Sequence, residues 1–113
     1  MLAELSLLNS TLSGNSATTN GGGIYSFEPN SSYVLSTLSL INSTLSGNTA
    51  GTHGGGISVN AVSLPFTSRG DGSKVYLVSS TLTGNQVGGY GGGLHGINGM
   101  AHSLNNSVIA NSE

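Results

Sequence analysis

The chain is built on an internal repeat, and this repeat restricts its fold more than any other feature. Three copies align without gaps: LSLLNSTLSGN at 5–15, LSLINSTLSGN at 38–48 and VYLVSSTLTGN at 75–85. In each copy the first residue of a glycine triplet stands six residues after the last Asn, and Ile or Leu closes the triplet. A degraded fourth copy, LNNSVIAN, follows at 104–111. The last asparagines of the copies give periods of 33, 37 and 26 residues: Asn15, Asn48, Asn85 and Asn111.

The differences in period fall in one part of the repeat, between the glycine triplet and the next copy. A constant unit with length variation at one place is typical of stacked coils that carry loops at one corner. Repeated Gly, Ser, Thr and Asn disfavour a helix, whereas alternations such as Leu38-Ser39-Leu40 favour short strands. The sequence therefore predicts an all-β fold, a right-handed parallel β-helix of about three coils plus a partial fourth, with three short strands per coil.

Stacking places equivalent residues of successive coils in rows. Four aliphatic rows are predicted to form the core: Leu5, Leu38 and Val75; Leu7, Leu40 and Leu77; Leu12, Leu45, Leu82 and Ile109; and Ile24, Ile57 and Leu94. The four repeat asparagines are predicted to stack as a hydrogen-bonded ladder in a turn.

One further apolar row has two possible orientations: Leu8, Ile41, Val78 and Leu104. Strict alternation along the strand turns this row outward, and a bend at Asn9 or Asn42 turns it inward. In the outward orientation it is an apolar stripe that needs a cover or a partner.

The chain is expected to be one β-helix unit over residues 1–113. The predicted coils cover about 5–37, 38–74, 75–102 and a partial 103–113, with inserted loops at 25–37 and 58–74. The first residues enter the repeat at once and lack the charged and apolar regions of a signal peptide. We therefore expect a fragment of a longer protein that contains further β-helix coils.

The near absence of charge excludes several classes of partner. The chain has two basic and four acidic residues, whereas nucleic-acid backbones and anionic membrane surfaces are bound by clustered Lys and Arg. No nucleic-acid partner is expected. No Cys is present, so neither a disulfide scaffold nor a thiolate metal site is possible. No apolar run approaches the ~18 residues of a membrane-spanning helix.

The NSTLSGN…GGGI pattern resembles the repeats of bacterial polymorphic outer-membrane proteins and related β-helical autotransporter passengers. It also resembles the right-handed β-helix of the pectin-lyase-like superfamily. The better-known polymorphic-protein repeats favour GGAI and an aromatic residue before S-G-N, where this chain has GGGI and Leu12, Leu45 and Leu82. The resemblance implies a bacterial protein that is extracellular and displayed at the cell surface, on the outer membrane.

The chain lacks the side chains that enzymes of the pectin-lyase-like superfamily use. Those enzymes cluster several carboxylates, whereas this chain has a single Asp, and Glu28 is the only acid of the first insert. His53, His95 and His102 do not share a metal-ligand spacing. We therefore predict no catalytic residue, no cofactor and no metal site.

One motif in the second insert is a candidate for adhesion. Arg69, Gly70 and Asp71 spell RGD between Ser68 and Gly72. This tripeptide resembles the one that some β-helical bacterial adhesins present to integrins. The alternative interpretation is a plain solvated turn.

Two functional hypotheses follow. The first is a non-catalytic structural or adhesive module of a surface-displayed or secreted bacterial protein, with a host protein, a cell-surface protein or a polysaccharide as partner. The second is a scaffold portion of a carbohydrate-active β-helix enzyme whose active site lies outside this chain.

Overall fold

The computed structural model of the chain describes residues 2–27, 35–60, 74–97 and 101–110. All regular structure within these ranges is β. The first coil holds β1 (Leu2–Leu8), β2 (Thr11–Ser13), β3 (Ser16–Ala17) and β4 (Ile24–Phe27). The second holds β5 (Leu35–Ile41), β6 (Thr44–Ser46), β7 (Thr49–Ala50) and β8 (Ile57–Asn60). The third holds β9 (Lys74–Val78), β10 (Thr81–Thr83), β11 (Gln86–Val87) and β12 (Leu94–Ile97), and the fourth holds β13 (Ala101–Asn105) and β14 (Val108–Ala110).

Equivalent strands of successive coils pair in parallel and form four sheets. Sheet 1 has the order β1-β5-β9-β13, sheet 2 β2-β6-β10-β14, sheet 3 β3-β7-β11 and sheet 4 β4-β8-β12. This arrangement confirms the predicted parallel β-helix, while its right hand stays a prediction. The prediction of three strands per coil was wrong, because a fourth, two-residue strand such as Ser16–Ala17 lies between the Asn turn and the glycine triplet.

The four predicted core rows are present and lie in register. Burial is deepest in the two middle coils, where Leu40, Leu45, Ile57 and Leu77 have no exposed surface, while Leu94 is partly buried. Leu5 belongs to the same row as the buried Leu38 but is 47% exposed. It lies in the first coil, and the described residues place no strand on its other side. The core is thus a narrow aliphatic column along the coil axis.

The ambiguous apolar row is outward-facing, and one of its predicted members was wrong. Leu8, Ile41 and Val78 stand opposite one another, and Leu8 is 61% exposed. The next residue in this row is Asn105, whereas Leu104 pairs with Leu77 in a core row. The sequence alignment placed Leu104 one position out because it assumed a 26-residue period, whereas the strands of the last two coils are 27 residues apart, as in the hydrogen bond from Ser80 to Ser107.

The chain bends directly after this outward row. Four residues there have left-handed backbone angles: Asn9 (φ 50°), Asn42 (52°), Ser79 (48°) and Asn106 (48°). Asn tolerates this region better than most L-residues. The Asn42 Nδ2 also donates to the Asn9 Oδ1 at 2.7 Å. The bend predicted at Asn9 and Asn42 is therefore real, but it follows the apolar row and does not turn it inward.

The predicted asparagine ladder forms the next turn. The Asn48 Oδ1 accepts from both the backbone N–H and the Nδ2 of Asn15, at 3.0 Å each. The Asn48 Nδ2 donates to the Asn85 Oδ1 at 3.0 Å and to the Leu12 carbonyl at 3.1 Å. Asn48 and Asn85 are fully buried, so the ladder provides the hydrogen bonds that water would otherwise make with these amides. Asn111 lies outside the described residues.

A serine ladder, which the sequence analysis missed, runs beside it. Ser10, Ser43 and Ser80 each donate a backbone N–H to the serine Oγ of the following coil, at 3.2, 3.1 and 3.0 Å. Each Oγ donates in turn to the carbonyl two residues earlier, as from Ser43 to Ile41 at 2.9 Å. Ser43 and Ser80 are almost fully buried. The ladder therefore supplies hydrogen-bond partners for the backbone groups that the bend leaves without strand partners.

The glycine triplets allow successive coils to approach closely. A Cβ on Gly55 would lie 2.3 Å from the Gln86 carbonyl oxygen and 2.6 Å from the Gly92 carbonyl oxygen. No side chain fits there without moving the backbone of the neighbouring coil.

The strands include parts of the predicted inserts. β4 extends to Phe27 and β5 begins at Leu35, so only 28–34 of the predicted loop 25–37 falls between strands. In the same way, 61–73 falls between β8 and β9. Arg69, Gly70 and Asp71 belong to that segment and lie outside the described residues.

Removing one buried rung of the asparagine ladder should destabilise the fold. Asn48→Ala leaves the Leu12 carbonyl without its side-chain donor and removes the side-chain donor to the buried Asn85 Oδ1. Each unsatisfied buried group costs about 1–3 kcal/mol, so urea denaturation should show a free energy of unfolding lower by about 2–4 kcal/mol. The matched control is Asn15→Ala, at the exposed end of the ladder, with an expected loss below about 1 kcal/mol. Equal losses for the two variants would contradict a structural role of burial in the ladder.

Two glycines should respond in opposite ways to substitution. Gly55→Ala should abolish the β-type circular dichroism spectrum because of the clash with two backbone oxygens. Gly47 has φ 62° and nothing within 4 Å of an added Cβ, so Gly47→Asn should fold. A folded Gly55→Ala variant with an unchanged melting temperature would show that the coils are not held this closely.

Candidate functional site

Ring-bearing side chains are concentrated at one corner of the helix. Of the six Tyr, Phe and His side chains that the structure describes, five lie on or beside the outer face of sheet 4. These five, called the ring cluster here, are Tyr25, Phe27, His53, Tyr90 and His95. They come from three successive coils, so only the stacking brings them together.

The coil register explains this convergence. Asn20, His53 and Tyr90 each precede a glycine triplet and are bridged to one another in parallel. Tyr25 and His95 each follow the aliphatic residue of a triplet and stand on either side of Ser58 on sheet 4. The tight turn of the triplet brings the first row against the second.

His53 is the central side chain of the ring cluster. Its Nδ1 lies 3.0 Å from the Asn20 Oδ1, and since that oxygen can only accept, the Nδ1 carries the proton. The His53 ring stacks on Tyr90 with 6.0 Å between centroids and 22° between planes, and its centroid is 4.5 Å from that of His95. His53 is thus held in one orientation by contacts with the coils on either side.

Desolvation lowers the pKa of His95 below its ordinary value of 6.5, and the neighbouring His53 lowers it further. The Nδ1 of His95 is buried without a hydrogen-bond partner. Both observations favour the neutral imidazole at neutral pH.

The outer part of the ring cluster is open. Tyr90 is 71%, Phe27 56% and Tyr25 44% exposed, and the Tyr25 and Phe27 centroids are 6.1 Å apart. Ser58, in contrast, is buried between the rows. The cluster therefore presents separate rings interleaved with polar groups.

The geometry offers little for metal binding. No three His, Cys, Asp or Glu side chains come together in the ranges 2–27, 35–60, 74–97 and 101–110.

Within the same ranges, no helix is long and apolar enough to span a membrane.

The site predicted from the sequence is a different one, Arg69, Gly70 and Asp71, which lie outside the described residues. The spacing of His53 and His95 in the sequence indicates no shared metal site. The repeat does indicate where the ring cluster lies, because the residues just before and just after the GGG-aliphatic motif vary from copy to copy beside a constant turn. The contact across coils between His53 and His95 required the strand register.

Residues 9–26 match the family model of the Chlamydia polymorphic membrane protein (Chlamydia_PMP) repeat. The matched segment runs from the bend at Asn9 through the first glycine triplet into β4. No curated protein and no solved structure is significantly similar to the chain. The first coil therefore contains a segment similar to a polymorphic membrane protein repeat, in agreement with the resemblance noted from the sequence.

His95 should make stability depend on pH. Because the folded-state pKa of His95 lies below 6.5, the unfolded chain binds the proton more readily. The contribution of neutral His95 is complete above about pH 6.5 and is lost as the pH falls through the folded-state pKa. We expect the melting temperature to fall between pH 7.5 and pH 5.5, and His95→Gln to reduce that fall. Tyr90→Phe, which retains both histidines, is the control and should keep the wild-type dependence; the same dependence in His95→Gln would exclude His95 as its origin.

Proposed function

We propose that this chain is a non-catalytic structural and adhesive module of a bacterial protein displayed on the outer-membrane surface. The observation that carries the proposal is the match of residues 9–26 to the polymorphic membrane protein repeat. This family is associated with the outer membrane, and the likeness supports a surface location.

The division of the coil into scaffold and exposed positions supports an adhesive role. The inward rows and both ladders are occupied by residues that the stack itself requires, and they are buried in the middle coils. The outward positions of sheet 4 are free of that requirement, and there the chain exposes Tyr25 and Phe27. Stacked repeats commonly use such extended faces for binding.

The proposal has a direct test. An antibody against the chain should label intact cells of the source bacterium, and beads coated with the folded chain should attach to host epithelial cells. Gly55→Ala beads serve as the matched control, because that variant should present the same composition without the coil. Labelling only after permeabilisation would contradict surface display, and equal attachment of the two bead types would contradict an adhesive role of the fold.

The same assay separates the RGD hypothesis from adhesion through the ring cluster. Asp71→Glu keeps the charge and lengthens the side chain by one methylene. If integrins bind Arg69-Gly70-Asp71, this variant should lose attachment to integrin-bearing cells. Undiminished attachment would remove integrin binding and leave adhesion to other parts of the surface.

A further inference from the structure

We propose that the ring cluster is a binding site for a neutral glycan. The inference rests on the proposed adhesive function, because it names the chemical class of the partner. Its starting point is the concentration of five rings on three successive coils of a chain whose surface is otherwise rich in Ser, Thr and Asn.

The exposed rings match the chemistry of a sugar. Exposed aromatic surface is unfavourable in water, so Phe27 at 56% and Tyr90 at 71% exposure represent binding energy that the free chain does not use. The electron-rich face of an aromatic ring attracts the partly positive C–H hydrogens of a pyranose. A sugar ring has such an apolar C–H face and a rim of hydroxyl groups, and therefore needs rings and hydrogen-bonding groups side by side.

The polar groups of the cluster supply the second requirement. His53 lies between Asn20 and Tyr90, and Asn60 stands opposite Phe27 in the register of sheet 4. The hydrogen bond between Asn20 and His53 puts a proton on Nδ1, so the Nε2 of the neutral ring can accept from a hydroxyl group. The Asn20 and Asn60 amides and the two tyrosine hydroxyls offer donors and acceptors.

The absence of charge favours a neutral ligand. The described residues on this face include no Asp, Glu, Lys or Arg, since Glu4 and Lys74 belong to sheet 1. An acidic polysaccharide would be bound by cationic groups, and the environment of His95 favours its uncharged form. A neutral chain of hexopyranose units fits this surface.

The size of the cluster argues against a protein partner. Three coils span about 10 Å along the axis, and a four-residue strand spans about 13 Å. This patch is smaller than the ~800 Å² of accessible surface that each partner covers in a standard protein interface. A short stretch of glycan needs no more than a few rings and their polar neighbours.

Binding of defined oligosaccharides to the purified full chain tests the inference. The probes are cellohexaose and mannohexaose, with oligogalacturonate of the same length as the acidic comparison, measured by isothermal titration calorimetry and saturation-transfer NMR. We expect a neutral hexasaccharide to bind. The double variant Tyr25→Ala/Phe27→Ala and the single variant Tyr90→Ala should each lose at least about tenfold in affinity.

Tyr76→Ala is the matched control, because Tyr76 is 38% exposed on the outer face of sheet 1. It should bind as the wild type does, and unchanged melting temperatures would show that the other variants still fold. Undiminished binding by the ring-cluster variants, absence of binding to both neutral probes at millimolar concentration, or preference for the acidic probe would each overturn the inference.

The outcome is separable from that of the adhesion experiment. A chain that attaches to cells but binds neither neutral probe would refute the glycan site and leave the adhesive function standing. Attachment that is lost after protease treatment of the host cells but survives periodate oxidation of their glycans would assign a protein partner instead. Sugar binding without attachment would support the site and refute adhesion.

Discussion

The fold depends on the hydrogen bonds that buried amide and hydroxyl side chains make between coils. A β-helix must turn its backbone several times per coil, and each turn leaves peptide groups without strand partners inside a narrow structure. Here the Asn48 amide bonds to the coils on either side, and Ser43 does the same at the neighbouring bend. Because both side chains are buried, their bonds are not exchanged with water. The turns are thereby fixed at the same places in every described coil.

This arrangement explains why the chain tolerates unequal periods. Ladder and core contacts join equivalent positions of adjacent coils, and none of them depends on how many residues lie between one coil and the next. The spacing across coils is 33 residues from Asn15 to Asn48 and 37 from Asn48 to Asn85. The added residues fall between β8 and β9, outside the described ladders. Length variation is therefore restricted to one corner of the coil, because the ladder and core contacts fix the rest of the coil.

The sequence was sufficient for the parts of the fold that recur in register. The aliphatic rows and the ladder from Asn15 to Asn85 could be predicted because equal spacing in sequence becomes direct contact in a stacked coil. The strand Ser16–Ala17 was missed because two residues are too few to show alternation. Leu104 was misplaced because the last copy is degraded, and an alignment anchored on Asn111 differs by one residue from the pairing of Leu77 with Leu104.

The ring cluster illustrates why function is harder to read than fold in such a chain. Position 53 and its equivalents carry Asn, His and Tyr in successive coils, so the turn accepts side chains of very different size and chemistry. The glycine after each of them takes the left-handed backbone angle, as Gly54 does at φ 61°, which leaves the preceding residue free to vary. A repeat that fixes its turns with glycine, asparagine and serine can therefore change its binding chemistry at neighbouring outward positions without disturbing the contacts that hold the coils together.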